Sequence, residues 1–511
     1  MNTRPETLLR TLALALAAAG ALSVSTPAAA QAPISVPSGH WVYPLLDRMA
    51  ADGLLHGVWM AGRRPMDARA IGAALDTAAA RAAGLGPAWA ETAGEAAGWF
   101  RGEYGIDDDA GFRALPTAGL RAGDGPRTDP TGAAVGARLL YRPAANVGLW
   151  ADPTVELTGD GLELPTPRLG AAWRPGPFRI AGTYDTHRLG PGAGGGIVLH
   201  DRAALPWLDV ALEEPVILPW LLRYLGPFQI SASASGIAAD SLGPDVVFFT
   251  GEFRLQPFPW ITLRLHQSAV VVEEVDGQGL SLNDIWLILQ GSRSGIAANF
   301  DDQKASMSAS LRLRLADITV NPYAVWGWED TWEIDEDPGT ILGVWLPGLP
   351  VAGMPLGLRY EYTAFGEAGM IIWPWTDGIW QHRSWYRHSR TRDRYVDGDG
   401  RLLGHPLGGY GTEHRLEIDA PLPSHGLLVR GALFTRERIA GVTVNPNTTP
   451  PRTQNYSNLL YGEMPGRSWG GVLSGVLTAG DIVVDGKLGI ELGDDGWSRT
   501  TASLRAAWLL P

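Results

Sequence analysis

Ile261-Thr262-Leu263-Arg264-Leu265-His266 alternates strictly between apolar and polar residues. Successive side chains of a strand point to opposite faces, so a period of two marks a strand with unlike surroundings on its two sides. The pattern recurs. Leu311, Leu313 and Leu315 alternate with Ser310, Arg312 and Arg314, and Leu358, Tyr360 and Tyr362 with Arg359, Glu361 and Thr363. Val484, Leu488, Ile490 and Leu492 share one face of a later segment, with Asp485, Lys487 and Glu491 on the other. In a soluble sandwich the charged face meets bulk water; in a membrane barrel it lines the lumen. Periodicity alone does not separate the two.

The N-terminus tilts the choice. Arg4 and Arg10 precede an apolar run from Leu12 to Val24, and Ala28-Ala29-Ala30 offers a small-residue cleavage site. That is the pattern of a secretory signal peptide cleaved near Ala30. No later run of eighteen or more apolar residues offers a membrane-spanning helix, so a span has to be made of strands. With 65 Gly, 38 Pro and 19% charged residues the chain is rich in turn-formers. Its 21 Trp against 11 Phe favour amphipathic aromatic positions, such as the girdles of a membrane barrel. Trp150, Trp173, Trp260, Trp286, Trp326, Trp328 and Trp380 fall near segment ends and are read as girdle residues. At roughly 20 residues per strand plus loop, the alternating region accommodates about 16 to 20 strands, an even number near 18 being expected.

Residues 31–132 are read as a periplasmic helical region and linker, and residues 133–511 as the barrel. Leu45, Leu46, Met49 and Leu54 recur at helical spacing, Ile71 and Leu75 follow Pro65-Met66-Asp67, and a third helix runs from Pro87 through Trp89, Ala93, Ala96 and Phe100. Trp41 and Trp99 are assigned to the helical core.

The formal net charge of −13 and the lack of a basic tail exclude a nucleic-acid partner. Zero cysteines remove disulfides and thiolate-bound zinc. Asp397-Gly398-Asp399-Gly400 has Arg401 where a calcium loop needs an oxygen ligand, and is read as a hairpin turn. His382, His388 and His405 sit among Arg383, Arg387, Arg390, Arg392 and Arg394, which would repel a cation, so neither a metal nor a cofactor is expected. Those guanidiniums suit carboxylates or phosphates, either of an acidic polysaccharide or of lumen carboxylates such as Glu329, Asp330 and Glu361. Gly291-Ser292-Arg293-Ser294-Gly295 places Arg where a nucleophile elbow needs Ser, so the chain is not read as an enzyme.

Several segments, taken in order, resemble the capsule assembly Wzi family. They are Tyr43-Pro44-Leu45-Leu46 through Asp52-Gly53-Leu54, Leu218-Pro219-Trp220 with Leu225-Gly226-Pro227-Phe228, and Gly251-Glu252-Phe253 with the strand carrying Arg264, Ser268 and Ala269. Gly277-Gln278-Gly279, Leu287 to Gly291, Tyr323-Ala324-Val325-Trp326 with Glu329-Asp330, and Tyr360-Glu361-Tyr362 follow. Trp385-Tyr386-Arg387-His388-Ser389, Arg394-Tyr395 and Leu403-Gly404-His405-Pro406 carry the strongest likeness. Leu407-Gly408-Gly409-Tyr410 and the terminal Trp508-Leu509-Leu510-Pro511 depart from it.

The resemblance implies a mainly β fold: a large antiparallel transmembrane barrel after a small helical region. It also implies a cell outer-membrane, lectin-like protein that helps attach or assemble capsular polysaccharide or exopolysaccharide. Partners are then outer-membrane lipid and surface polysaccharide, and the chain is read as a monomer. The expected binding residues are Trp326, Trp328, Glu329, Trp385, Arg387, His388, Tyr395 and His405, chosen for aromatic and guanidinium density. A diffusion porin is the alternative, and an outer-membrane hydrolase the third reading.

Overall fold

Eighteen antiparallel strands close into one barrel. The computed structural model describes residues 32–508 apart from loop segments, chiefly 107–110, 125–130, 238–244, 282–300, 330–338, 366–384, 387–394, 397–400, 446–451 and 456–463. The strands are β1 (Phe112–Asp124), β2 (Gly132–Ala144), β3 (Val147–Asp152 and Thr154–Thr158), β4 (Gly161–Glu163 and Arg168–Trp173) and β5 (Phe178–Thr186). Next come β6 (Ala204–Leu212 and Val216–Ile217), β7 (Pro227–Ile237), β8 (Val246–Phe258), β9 (Ile261–Val272) and β10 (Asp301–Leu311 and Leu313–Leu315). Then follow β11 (Ile318–Glu329), β12 (Gly339–Val351), β13 (Met354–Phe365) and β14 (Gly411–Leu422). The ring ends with β15 (Leu427–Arg438), β16 (Gly466–Ala479), β17 (Ile482–Gly493) and β18 (Ser498–Trp508), and β18 pairs back onto β1 from Ala507↔Thr117 to Thr500↔Asp124.

The barrel is apolar outside and polar inside. Along β9, Leu265 is 49% exposed while its neighbours Arg264 and His266 are buried. Its cross-strand partner Met307 also faces out, at 43% exposed. The charged face of the alternating segments is therefore the lumen, and the apolar face meets lipid. Trp173 and Trp260 are exposed as a girdle requires, and Trp326 is half-buried. Trp150 is instead buried, with Arg168 and Arg179 lying over its ring at 6.0 and 5.9 Å. Trp286 and Trp380 lie outside the described residues.

The long connections, β5–β6, β9–β10, β13–β14 and β15–β16, all fall at one end. The other end carries tight turns at β2–β3, β8–β9, β10–β11, β12–β13 and β16–β17. Two breaks interrupt the wall, at Pro153 in β3 and at residues 164–167 in β4, where Pro165 and Pro167 have no N–H to give a ladder. The barrel begins at Phe112, earlier than the boundary of 133 read from the alternation. Pro116 and the small residues Ala114, Thr117, Ala118 and Gly119 blur the period of two in β1, so only its pairing reveals it.

The N-terminal helices are α1 (Val42–Asp52), α2 (Ala68–Ala82) and α3 (Pro87–Tyr104). Gly53, in the left-handed region at φ +93°, ends α1, its N–H bonding Ala50 O at 3.0 Å. Val42, Leu45, Leu46 and Met49 of α1 pack with Ile71, Leu75 and Phe100. Leu140, Trp150, Ala172 and Ala181 of the barrel wall belong to the same core. Each large side chain so buried contributes about 1.5–3 kcal/mol.

Bonds from this region run round the ring. Glu103 meets Arg138 of β2 at 2.5 Å, and Arg63 meets Glu213, just past the first segment of β6, at 3.1 Å. Ala61 O accepts from Arg264 of β9 at 3.0 Å, and Arg48 donates to Pro347 O of β12 at 2.6 Å. Only a body on the barrel axis reaches all of these strands. The wall residues it touches, from Arg142 and Glu213 to Gln256 and Pro347, cluster at the short-turn end. The helical region is thus a plug inside that half of the lumen.

Candidate functional site

On the β5–β14 side, the long-loop half of the lumen is occupied by a second body, a lid. Residues 187–203, between β5 and β6, fold inward, and their glycine-rich turn 190–196 lies against the buried Glu361 of β13. Glu361 accepts N–H bonds from Ala193 (2.6 Å) and Gly194 (2.8 Å) and the hydroxyl of Tyr323 (2.6 Å). Arg359 donates to Tyr323 Oη at 2.8 Å and lies over the Tyr323 and Trp345 rings. The turn needs glycine. A Cβ on Gly194 would fall 2.6 Å from Glu413 Oε1, and one on Gly195 would fall 2.7 Å from Pro406 Cδ.

Three of the expected binding residues, Trp385, Tyr395 and His405, do come together here. They form a packed core. Trp385 is 0% exposed against Phe365 (ring centroids 5.3 Å) and Tyr386 (5.6 Å), and Tyr395 is 1% exposed beneath Phe248 (5.3 Å). Tyr395 Oη donates to Val198 O (2.5 Å) and shares a 2.6 Å bond with Ser268 Oγ of β9. Tyr386 Oη donates to Ile197 O (2.7 Å) and accepts from His405 N (2.9 Å). These hydroxyls join the segment 385–410 to the loop 187–203 and to the wall. The three rings expected to bind are buried here and present no open face: aromatic density also marks a core, because Tyr and Trp rings whose polar ends find partners pack as well inside as outside.

His405 is also fully buried. Its Nδ1 accepts from Leu407 N at 3.1 Å, while Nε2 has no hydrogen-bond partner. Burial holds the imidazole down to about pKa 3 despite the nearby Glu413, so it is neutral. In the plug, burial likewise lowers His40. Burial opposes ionisation of Glu103, but the bond from His40 and the guanidiniums of Arg138 and Arg505 outweigh it and keep Glu103 a carboxylate.

Trp326 points to the lipid side of β11, and Trp328 is buried at that strand's long-loop end. The side chain of Glu329, and all of Arg387 and His388, lie outside the described residues, as do the Asp397–Gly400 run and the arginines at 383, 390, 392 and 394. Sequence reasoning passed over Glu361 as a hub and the glycine run 190–196; a carboxylate alternating inward opposite such a run was the available signal.

Among the described residues no group of three or more His, Cys, Asp or Glu is placed to hold a metal. One nucleophile-like row does exist. Ser306 Oγ lies 3.2 Å from His266 Nδ1, and His266 Nε2 lies 2.9 Å from Glu252 Oε1. The three occupy one cross-strand row of β8, β9 and β10, and each is at most 3% exposed. A buried row of this kind holds adjacent strands together without admitting a substrate.

Residues 176–425, from β5 to β14, match the family model described as capsule assembly protein Wzi. Among solved structures the chain is similar to Wzi of Escherichia coli, an outer-membrane protein involved in group 1 capsule assembly and described as a carbohydrate-binding β-barrel. That likeness has 16% identity and a TM-score of 0.69, over 93% of this chain and 99% of that one. At that identity it carries the fold. Pseudomonas aeruginosa OccK10 (OpdN) is similar at 10% identity and a TM-score of 0.42, over 78% of this chain and 99% of that one. OccK5 (OpdH) of the same organism is similar at 8% and 0.43, over 78% and 97%. No curated protein matches the chain.

Proposed function

We propose, from the premise that residues 176–425 belong to the capsule assembly Wzi family, that this protein is an outer-membrane, lectin-like platform for surface polysaccharide. In this reading the signal peptide directs export and is cleaved near Ala30. The short-turn end faces the periplasm, the long loops face outward, and a single chain suffices. The observation that carries binding over conduction is a lumen occupied twice, by the helical plug in one half and the lid in the other. A diffusion porin needs a continuous water-filled lumen. Capsular polysaccharide or exopolysaccharide meets the long-loop end, and Arg387, His388 and Glu329 are the polar residues proposed to bind it. Trp385, Tyr395 and His405 form the core that positions those loops, and Trp326 seats the barrel in lipid.

The test is binding of the detergent-folded chain to surface polysaccharide of its own host, with bilayer conductance recorded on the same preparation. Saturable binding without conductance is expected. Open-channel conductance without binding would replace this reading with the porin.

A further inference from the structure

Across the lumen from the lid, the inner wall is made of small residues. In one cross-strand row Asp485, Arg505, Gly119, Ala134 and Glu156 follow each other from β17 through β18, β1 and β2 to β3. The next row runs Lys487, Ser503, Arg121 and Gly132, and there Lys487 and Ser503 are exposed inside the barrel. Gly119 and Ala134 leave a flat floor between Arg505 and Glu156. Above it lies a cavity of about 440 Å³, bounded on one side by the break in β4 at Pro165-Thr166-Pro167. That volume falls within the roughly 300–1,000 Å³ of small-molecule sites.

The charge of this cavity opposes that of the chain. Its lining holds four guanidiniums, Arg121, Arg138, Arg168 and Arg505, and two carboxylates, Asp152 and Glu156, in a protein of formal net charge −13. Arg138, 2% exposed, is held by Glu103 and Tyr104 through Nη1 and faces Asp152 from Nε at 3.4 Å, while its Nη2 has no hydrogen-bond partner; Arg168 is paired with Asp185 at 2.6 Å and Asp152 at 3.4 Å. Arg505 makes no ion pair within 4 Å among the described residues. Arg121, a third exposed, reaches Glu156 at 2.7 Å from the cavity rim. A buried donor without an acceptor is costly, and an oxyanion placed beside it removes that cost.

We propose that this cavity is a subsite for a carboxylate-bearing sugar of an acidic glycan, entering from the long-loop end. The inference rests on the polysaccharide-binding reading above and gives it a charge class. Arg505 and Arg121 fork onto the uronate carboxylate, Arg138 Nη2 donates from below, and Glu156 accepts from ring hydroxyls. A neutral sugar leaves the guanidiniums as they are and gains little.

The test is calorimetric titration of the full chain, folded in detergent, with tetragalacturonate and with maltotetraose. Heat-modifiable migration on a gel checks the fold of each variant. Wild type is expected to bind tetragalacturonate saturably and maltotetraose at least about tenfold more weakly. Arg505→Gln with Arg121→Gln is expected to weaken tetragalacturonate by tenfold or more. Ala134→Phe, which fills the floor and keeps every charge, is expected to do the same, and if it fails to fold the arginine pair decides alone. Tetragalacturonate binding unchanged in the variants would overturn the cavity assignment. So would wild type that binds host polysaccharide and ignores tetragalacturonate, and both leave the platform reading standing. Wild type that binds neither would overturn both.

Discussion

The two sides of the lumen differ in what fills them. On the β5–β14 side the inward residues are large and paired: Trp207, Phe248, Tyr323 and Phe365 pack with the lid, and Glu361 takes three hydrogen bonds. On the β16–β3 side, around Gly119 and Ala134, they are small, and a cavity remains, although Glu491 of β17 still gathers Arg436, Arg438 and Arg499 farther along the ring. The family match covers the first side and stops before the second. One half of the ring thus builds a support of packed rings around the Glu361 hub, while the other keeps room for something that is not protein. If that contrast is physical, substitutions of similar size have unequal effects on the two sides.

The largest effect is expected from Glu361→Ala. It strands Ala193 N, Gly194 N, Tyr323 Oη and the Arg359 guanidinium in a buried setting. Removing one partner of a buried charged network costs about 3–5 kcal/mol. The loop 187–203 should become protease-sensitive while the barrel keeps its heat-modifiable migration. A loop that stays resistant would mean that the apolar packing of Trp385 and Tyr395 holds the lid unaided.

Glu103→Gln comes next and acts on the plug. The amide keeps the shape but loses the charge facing Arg138, whose guanidinium is 2% exposed, at a cost of about 3 kcal/mol. Loosening the plug while the lid is intact should leave the bilayer silent; combined with Glu361→Ala it should produce current. Because the two carboxylates share no hydrogen-bond or ion-pair partner, their destabilisations should add within about 0.5 kcal/mol, except for what passes through the backbone pairing of Arg63–Arg64 with Arg188–Leu189. Current from Glu103→Gln alone would show that the lid does not seal its half.

The barrel was legible because its charges obey the period of two: Arg264, His266, Arg359 and Glu361 all turned out to face the lumen. A strand count near 18 followed from length alone. What the alternation did not carry was the filling. A plug and a soluble cap have the same helical periodicity, since α1 and α2 need one apolar stripe in either place, and nothing in Arg48 or Arg63 says that its carboxylate or carbonyl partner lies on a barrel wall. The binding residues suffered from the same ambiguity. Trp385, Tyr395 and His405 were selected for being aromatic and close in sequence, and those traits also build a core. The cavity was the least legible feature, because its signal is the smallness of Gly119 and Ala134 at positions that only strand register brings beside Arg505 and Glu156.

A smaller, pH-dependent effect separates the sides without mutation. Folded His405 has its pKa lowered by burial to about 3, against 6.5 in the open chain. The unfolded state therefore binds the proton more readily. Stability from the neutral ring is fully present above pH 6.5 and is lost as pH falls from there toward 3. Tryptophan fluorescence should report the lid around Trp385 loosening over that window, and His405→Gln should flatten the response. An unchanged profile in the variant would assign the acid sensitivity to another group.

The smallest effect is expected on the open side. Ser503 faces Lys487 and Arg121 across the ladder and is exposed within the barrel. Its hydroxyl can exchange one water for another when the chain folds, so Ser503→Ala should change stability by no more than about 0.5 kcal/mol. The comparison with Glu361 is then one of surroundings, not of residue class, since both are polar side chains aimed into the same lumen. Urea unfolding of the two variants side by side measures it directly. If Ser503→Ala costs as much as Glu361→Ala, the β16–β3 side is packed like its opposite, and the cavity between Arg505 and Glu156 is closed in solution.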